Sequence, residues 1–123
     1  MRLLIADDDE AIRRLLALKL RAMGAEVFEA RDGQEAVDRA LELEPDGVFL
    51  DVLMPKRNGF EALAGMRAGG YRGPVVMVTA LGEESARHLE AGERPDFVLT
   101  KPFRQSEVAA CVEKLAERLR DAG

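Results

Sequence analysis

The sequence predicts an α/β fold: a parallel sheet of five strands with five helices on two faces, a three-layer sandwich. Three observations lead there. Short apolar runs and amphipathic stretches alternate five times along the chain, the pattern of successive βαβ units. The apolar runs are nearly continuous, as strands covered on both faces must be. The length, 123 residues, suits one domain spanning 1–123, and no repeat, low-complexity tract or linker divides it.

Residues 3–6 (Leu-Leu-Ile-Ala) form the first strand, which runs straight into Asp7-Asp8-Asp9-Glu10. Ile12, Leu15, Leu16, Leu20 and Met23 then recur at helical spacing with Arg13, Arg14, Lys19 and Arg21 mostly between them, an amphipathic helix whose basic residues read as its solvated face. Asp8 or Asp9 can cap its start and Gly24 ends it. Residues 25–30, centred on Val27 and Phe28, are the second strand, and Asp32-Gly33 is a turn or cap. Ala36, Val37, Ala40 and Leu41 give the second helix its apolar face, closed off by Pro45.

The third strand, 48–51, ends in Asp51, followed by Val52-Leu53-Met54-Pro55 and a loop through Gly59 in which Asn58-Gly59 reads as turn chemistry. Phe60, Leu63 and Ala64 open a third helix that fades through Gly69-Gly70. Residues 74–79 are the fourth strand. Residues 82–91 form a thin helix with Leu89 its only large apolar residue, which makes it the helix expected to be least stable. Residues 97–100 are the fifth strand, stopped by Lys101-Pro102, and Val108, Cys111, Val112, Leu115 and Leu119 mark a long last helix.

A chain of this size buries roughly two thirds of the surface its unfolded form exposes, so one core suffices without staples. The net charge of −5 argues against direct nucleic-acid binding. Cys111 is the only cysteine, so no intrachain disulfide forms and a reducing compartment is implied. The first apolar run is too short for a signal peptide and no stretch approaches the ~20 apolar residues of a membrane span. A cytoplasmic protein without membrane contact is the expectation. His88 reads as a surface residue, with no second histidine to build a zinc site, Cys111 as an inert core thiol, and Phe103 as core packing.

In an open parallel sheet every strand's carboxyl end lies on one rim. There the sequence places Asp7-Asp8, Asp51, Thr79-Ala80 and Lys101-Pro102. The usual order for five strands is the flavodoxin-like 2-1-3-4-5, with its crevice between strands one and three. Asp51 by itself is equally a helix cap or a turn aspartate. On that order, however, Asp7, Asp8 and Asp51 face one another, with Thr79 and Lys101 along one side. Three crowded carboxylates repel, so one must bind a proton or a hard cation must join them. Mg²⁺ takes oxygen ligands and shares them with phosphate, Lys101 offers a point charge and Thr79 a hydroxyl donor. The set suits phosphoryl transfer, with a carboxylate as nucleophile.

Leu-Leu-Ile-Ala-Asp7-Asp8-Asp9, Asp51-x-x-Met54-Pro55-x-x-x-Gly59, Val-Thr79-Ala80 and Lys101-Pro102-Phe103, in this order and each at a strand end, resemble the receiver domain of bacterial two-component response regulators over the whole chain. The resemblance implies a signalling domain, not an enzyme, in which Asp51 accepts a phosphoryl group from a sensor histidine kinase or phosphotransfer protein. It implies Mg²⁺ on Asp8 directly, with Asp7 helping, on Asp51 and on the backbone carbonyl of Leu53. Thr79, the Ala80 backbone and Lys101 would hold phosphoryl oxygens. Movement of Thr79 would rearrange the face made by helix 82–91, the fifth strand and the last helix, which binds partners or a second copy.

The chain departs from the pattern in three places. Val98 stands where the family usually has a switching aromatic, and Phe97, one earlier on a strand, points to the opposite face. Gly92 comes nine residues before Lys101, not seven, lengthening that loop. Arg57-Asn58 replaces the usual Met-Asp. Leu53 and Leu81, two residues after Asp51 and Thr79, should flank the phosphate; both are apolar and neither can position a water, so self-dephosphorylation is expected to be slow. The rival readings are a receiver-like binding module that does not use phosphate and a Mg²⁺-dependent hydrolase of the haloacid dehalogenase type with Asp7-x-Asp9 as its acidic pair. The hydrolase leaves the Asp51 loop unexplained, and a P-loop enzyme is excluded by the lack of Gly-x-x-x-x-Gly-Lys.

Overall fold

The computed structural model describes residues 1–80 and 94–122. Strands β1 (Arg2–Ala6), β2 (Glu26–Ala30), β3 (Gly47–Asp51), β4 (Val75–Thr79) and β5 (Phe97–Thr100) form one parallel sheet in the order β2-β1-β3-β4-β5. Helices α1 (Glu10–Ala22), α2 (Gly33–Leu43) and α3 (Gly59–Ala68) fall between them, and a last helix, Gln105–Ala122, follows β5. The fold class and strand order are those expected from the sequence, with four helices among the described residues. The helix expected over 82–91 lies outside the described residues, together with Leu81, His88 and Gly92.

Strand alternation divides the core. Leu4, Leu50 and Met77 face α2 and α3 in one buried cluster, and Leu3, Ile5, Phe49, Val76, Val78 and Leu99 face α1 and the last helix in the other. β3 lies at the centre and all five of its residues are buried. Each large apolar side chain buried this way contributes about 1.5–3 kcal/mol. The register runs Ala6 beside Leu50, Asp51 beside Val78, and Thr79 beside Thr100, which brings the strand ends to one rim.

The helices start where side-chain acceptors meet open amides. Asp9 caps α1 by accepting from the Ile12 amide at 3.1 Å, and Asp32 caps α2 by accepting from Glu35 at 2.8 Å. Asn58, expected as a turn residue, is the N-cap of α3: its Oδ1 accepts from the Glu61 amide at 2.8 Å and its own amide donates to the Glu61 carboxylate at 2.9 Å, a reciprocal capping box. Helix α1 ends before Gly24, whose φ of +91° suits a residue without a Cβ.

Two expectations for α1 are corrected. The buried stripe is Arg13, Leu16, Ala17 and Leu20, spaced i, i+3, i+4, i+7. Leu15 lies off that stripe and is half exposed, while Ala17 is fully buried. Arg13 is on the stripe and is not part of the solvated face. Leu41 on α2 is also partly exposed. On β5, Phe97 packs toward the last helix, with the Lys114 ammonium 5.6 Å and the Arg118 guanidinium 5.2 Å from its ring centre. Val98 points the other way and is 61 % exposed. Cys111 is a buried free thiol and Phe103 packs against the same cluster.

Candidate functional site

Asp7 extends the pairing of β1 by one residue, its amide donating to the Ala30 carbonyl at 3.1 Å. Its Oδ1 accepts from the Asp9 amide at 2.9 Å and its Oδ2 from Lys101 Nζ at 3.0 Å. Its backbone carbonyl accepts from Arg13 Nη1 at 3.0 Å. Every polar group of this buried acid is therefore engaged. Asp8 is exposed and makes no hydrogen bond or ion pair among the described residues. Asp51, 8 % exposed at the tip of β3, receives Lys101 Nζ on Oδ1 at 3.0 Å.

Asp7, Asp8 and Asp51 each present a carboxylate oxygen such that all three oxygens lie within 4.8 Å of one another. The charge conflict read from the sequence is present, and Lys101 stands in its midst, bonded to two of the three acids. Burial pushes the Asp51 carboxyl up to about 6; Asp7 and Asp8 add to the rise and the Lys101 hydrogen bond opposes it. Burial pulls the Lys101 ammonium down, but its hydrogen bonds to Asp7 and Asp51 outweigh this and its pKa lies above the ordinary lysine value. The donor set is three hard oxygens on a partly open rim. It fits a small divalent cation such as Mg²⁺, which keeps several waters, and Asp8 is the acid with its oxygens uncommitted.

Thr79 closes β4, buried, and its carbonyl accepts from the Lys101 amide at 2.8 Å, which ties the lysine backbone to the strand that carries the threonine. Ala80 follows it, exposed. The loop after Asp51 is pinned at Val52, just before Leu53. The Val52 amide donates to Val78 at 3.2 Å and the Val52 carbonyl accepts from Gly59 at 2.7 Å. Leu53 itself is 58 % exposed at the mouth of the site. Gly59 is required by close approach, since a Cβ there would stand 2.5 Å from the Asp51 carbonyl and 2.7 Å from Met77 Sδ.

Residues that sequence reasoning missed complete the surroundings. Arg13 also donates Nε to the Glu29 carboxylate on β2 at 3.0 Å. Its position on the α1 stripe was the available signal. Arg57, a substitution with no meaning in the sequence, lodges between α2 and α3: its carbonyl presses on Gly33 and its guanidinium on Gly65, so a side chain at either glycine would collide with it. Lys56, at φ +69°, reaches Asp32 at 3.5 Å. The loop that follows Asp51 is thus seated on the start of α2.

A family model described as a response regulator receiver domain matches residues 3–113. The chain is 37 % identical over 117 residues to the alkaline phosphatase synthesis transcriptional regulatory protein PhoP of Bacillus subtilis, covering 95 % of this chain and 49 % of that protein. It is 37 % identical over 119 residues to the DNA-binding dual master transcriptional regulator RpaA of Synechocystis, covering 95 % and 49 %. The chain spans about half the length of these curated relatives. Among solved structures it resembles the Francisella response regulator 1452 receiver domain, with a TM-score of 0.82, 29 % identity and coverage of 96 % of this chain and 98 % of that one. It also resembles the response regulator domain of Thermotoga maritima CheB, at 0.77, 29 %, 95 % and 94 %. No helix among the described residues is long and apolar enough to cross a membrane.

Proposed function

This chain belongs to the response regulator receiver family, a family of signalling domains, and from that membership we propose that Asp51 is its phosphoacceptor, taking a phosphoryl group from a sensor histidine kinase or phosphotransfer protein in a Mg²⁺-dependent step. The observation that carries the reading is the placement of one ammonium, Lys101 Nζ, 3.0 Å from both Asp7 and Asp51 at the meeting point of three acids.

In the step, a carboxylate oxygen of Asp51 forms a bond to phosphorus as the bond from phosphorus to the donor nitrogen breaks, and the electron pair leaves with the donor imidazole. Asp8, Asp7, Asp51 and the Leu53 carbonyl would hold Mg²⁺. When bound, the ion neutralises the acids and the charge spread over the phosphoryl oxygens. Lys101 exchanges its carboxylate partners for a phosphoryl oxygen, keeping a charge-assisted hydrogen bond throughout. Thr79 and the Ala80 backbone supply the remaining donors. The residues 1–123 act as one receiver unit. The outcome is a phosphorylated signalling domain whose β5 and last-helix surface meets a partner or a second copy. The free, buried Cys111 supports a reducing, cytoplasmic setting.

The test is a small phosphodonor with and without Mg²⁺, followed by hydroxylamine cleavage and mapping of the label. Label on Asp51 that requires Mg²⁺ is the expected result. Label on Asp7 with turnover would establish the hydrolase instead, and no label at all the phosphate-independent module.

A further inference from the structure

On the reading that Asp7, Asp8 and Asp51 take the cation, we propose that Arg13 is a positioning residue for that site. By holding the Asp7 carbonyl it fixes the direction in which the two acids leave β1.

A guanidinium that is 7 % exposed costs free energy unless it is paired and hydrogen-bonded. A structural ion pair needs only Glu29, which Arg13 reaches with Nε at 3.0 Å; Arg21, 3.7 Å from the other oxygen, helps to hold that carboxylate. The second prong, Nη1, goes elsewhere, to the carbonyl of Asp7 at 3.0 Å. That oxygen belongs to the planar peptide joining Asp7 to Asp8. Its orientation sets ψ of the first acid and φ of the second. Asp7 is then fixed through its side chain by the Asp9 amide and Lys101, whereas Asp8 has no hydrogen bond or ion pair among the described residues. The direction of Asp8 is inherited from this peptide plane, and Arg13 braces the plane from α1 with β2 as its support. Positioning groups of this kind behind metal ligands are worth about 10- to 100-fold in affinity.

The test uses the whole chain and Mg²⁺ alone, titrated calorimetrically. Arg13→Met combined with Glu29→Leu removes both charges, so that no carboxylate is left buried without its partner, and urea unfolding reports whether stability is retained. Positioning predicts that this variant, folded, binds Mg²⁺ about tenfold more weakly than the wild type. A guanidinium that acted only through its charge would not weaken binding on removal, since the Glu29 charge leaves with it. A purely structural pair would leave binding unchanged. Either result overturns the proposal. Should the double variant not fold, Arg13→Lys serves. A single ammonium keeps the charge but cannot span Glu29 and the Asp7 carbonyl together, so weakened Mg²⁺ binding is again expected, and wild-type affinity overturns the proposal. A wild-type chain that binds no Mg²⁺ refutes the metal reading itself, a failure distinguishable from that of Arg13 alone.

Discussion

Lys101 Nζ and Asp51 Oδ1 lie 3.0 Å apart, and the same nitrogen lies 3.0 Å from Asp7 Oδ2. One ammonium thus serves two acids from strands that are neighbours in space and far apart in sequence, and it holds the position an incoming cation or anion must negotiate.

Replacing that lysine should affect two properties in opposite directions. In Lys101→Met the acids lose their internal counter-charge, so Mg²⁺ binds about fivefold more tightly, equivalent to about 1 kcal/mol of relieved repulsion. Phosphorylation of Asp51 falls in the same variant, because the phosphoryl oxygens lose a donor. Calorimetry and phosphate incorporation measure the two. Loss of both together would mean that Lys101 only maintains the shape of the pocket.

The pH dependence follows from the Asp51 carboxyl, pushed up to about 6 by burial and by its neighbouring acids. An unfolded aspartate titrates near 3.9. Between these values the folded chain binds more protons than the unfolded chain, so this group's contribution to stability falls as pH rises from about 4 to about 6, then levels off. Without divalent ions, the wild type should therefore gain stability relative to Asp51→Asn as pH drops from 7 to 5. Denaturant unfolding of the pair at several pH values checks this, and a flat difference contradicts it. Phosphorylation runs the other way and rises with pH toward a plateau above 6, since the nucleophile must be ionised.

Leu53, exposed at the mouth of the site, has no atom that can orient a water. Leu53→Asn should speed loss of phosphate from Asp51, on the order of tenfold. Decay of radiolabel from the isolated chain measures it, and an unchanged half-life would remove the side-chain explanation for slow decay.

Two neighbouring substitutions separate capping from close approach. Asn58→Ala deletes the reciprocal cap of α3 and should cost about 1 kcal/mol with Mg²⁺ affinity intact. Gly59→Ala drives a methyl group against the Asp51 carbonyl and Met77 Sδ and should cost about 2 kcal/mol, with Mg²⁺ binding weakened as the loop shifts. Urea unfolding and calorimetry on both variants test the contrast.

The strand order and the acids were legible in the sequence because a charge that ends an apolar run has few innocent explanations. Asp7, Asp51 and Lys101 each stop a strand, and a parallel sheet leaves only one rim for them. What stayed hidden depends on phase and partners. Leu15 outranks Ala17 in hydrophobicity, yet the helical angle, not the side chain, decides which is buried. Arg13 looks like any basic residue between leucines until Glu29 of β2 is placed beside it. Arg57 acquires meaning only when two glycines, thirty-two positions apart, are found to leave room for it. Lys101 was expected to face the acids from one side, but its stem is long enough to carry the ammonium in among them.

At the opposite end of the sheet, Asp96 accepts from Arg67 of α3 at 3.3 Å, from Arg118 of the last helix at 2.9 Å and from the Val75 amide of β4 at 2.8 Å. One carboxylate there fastens both helical layers to the same strand. Its loss would release both arginines and the β4 amide at once, so the base of the sandwich depends on a single side chain.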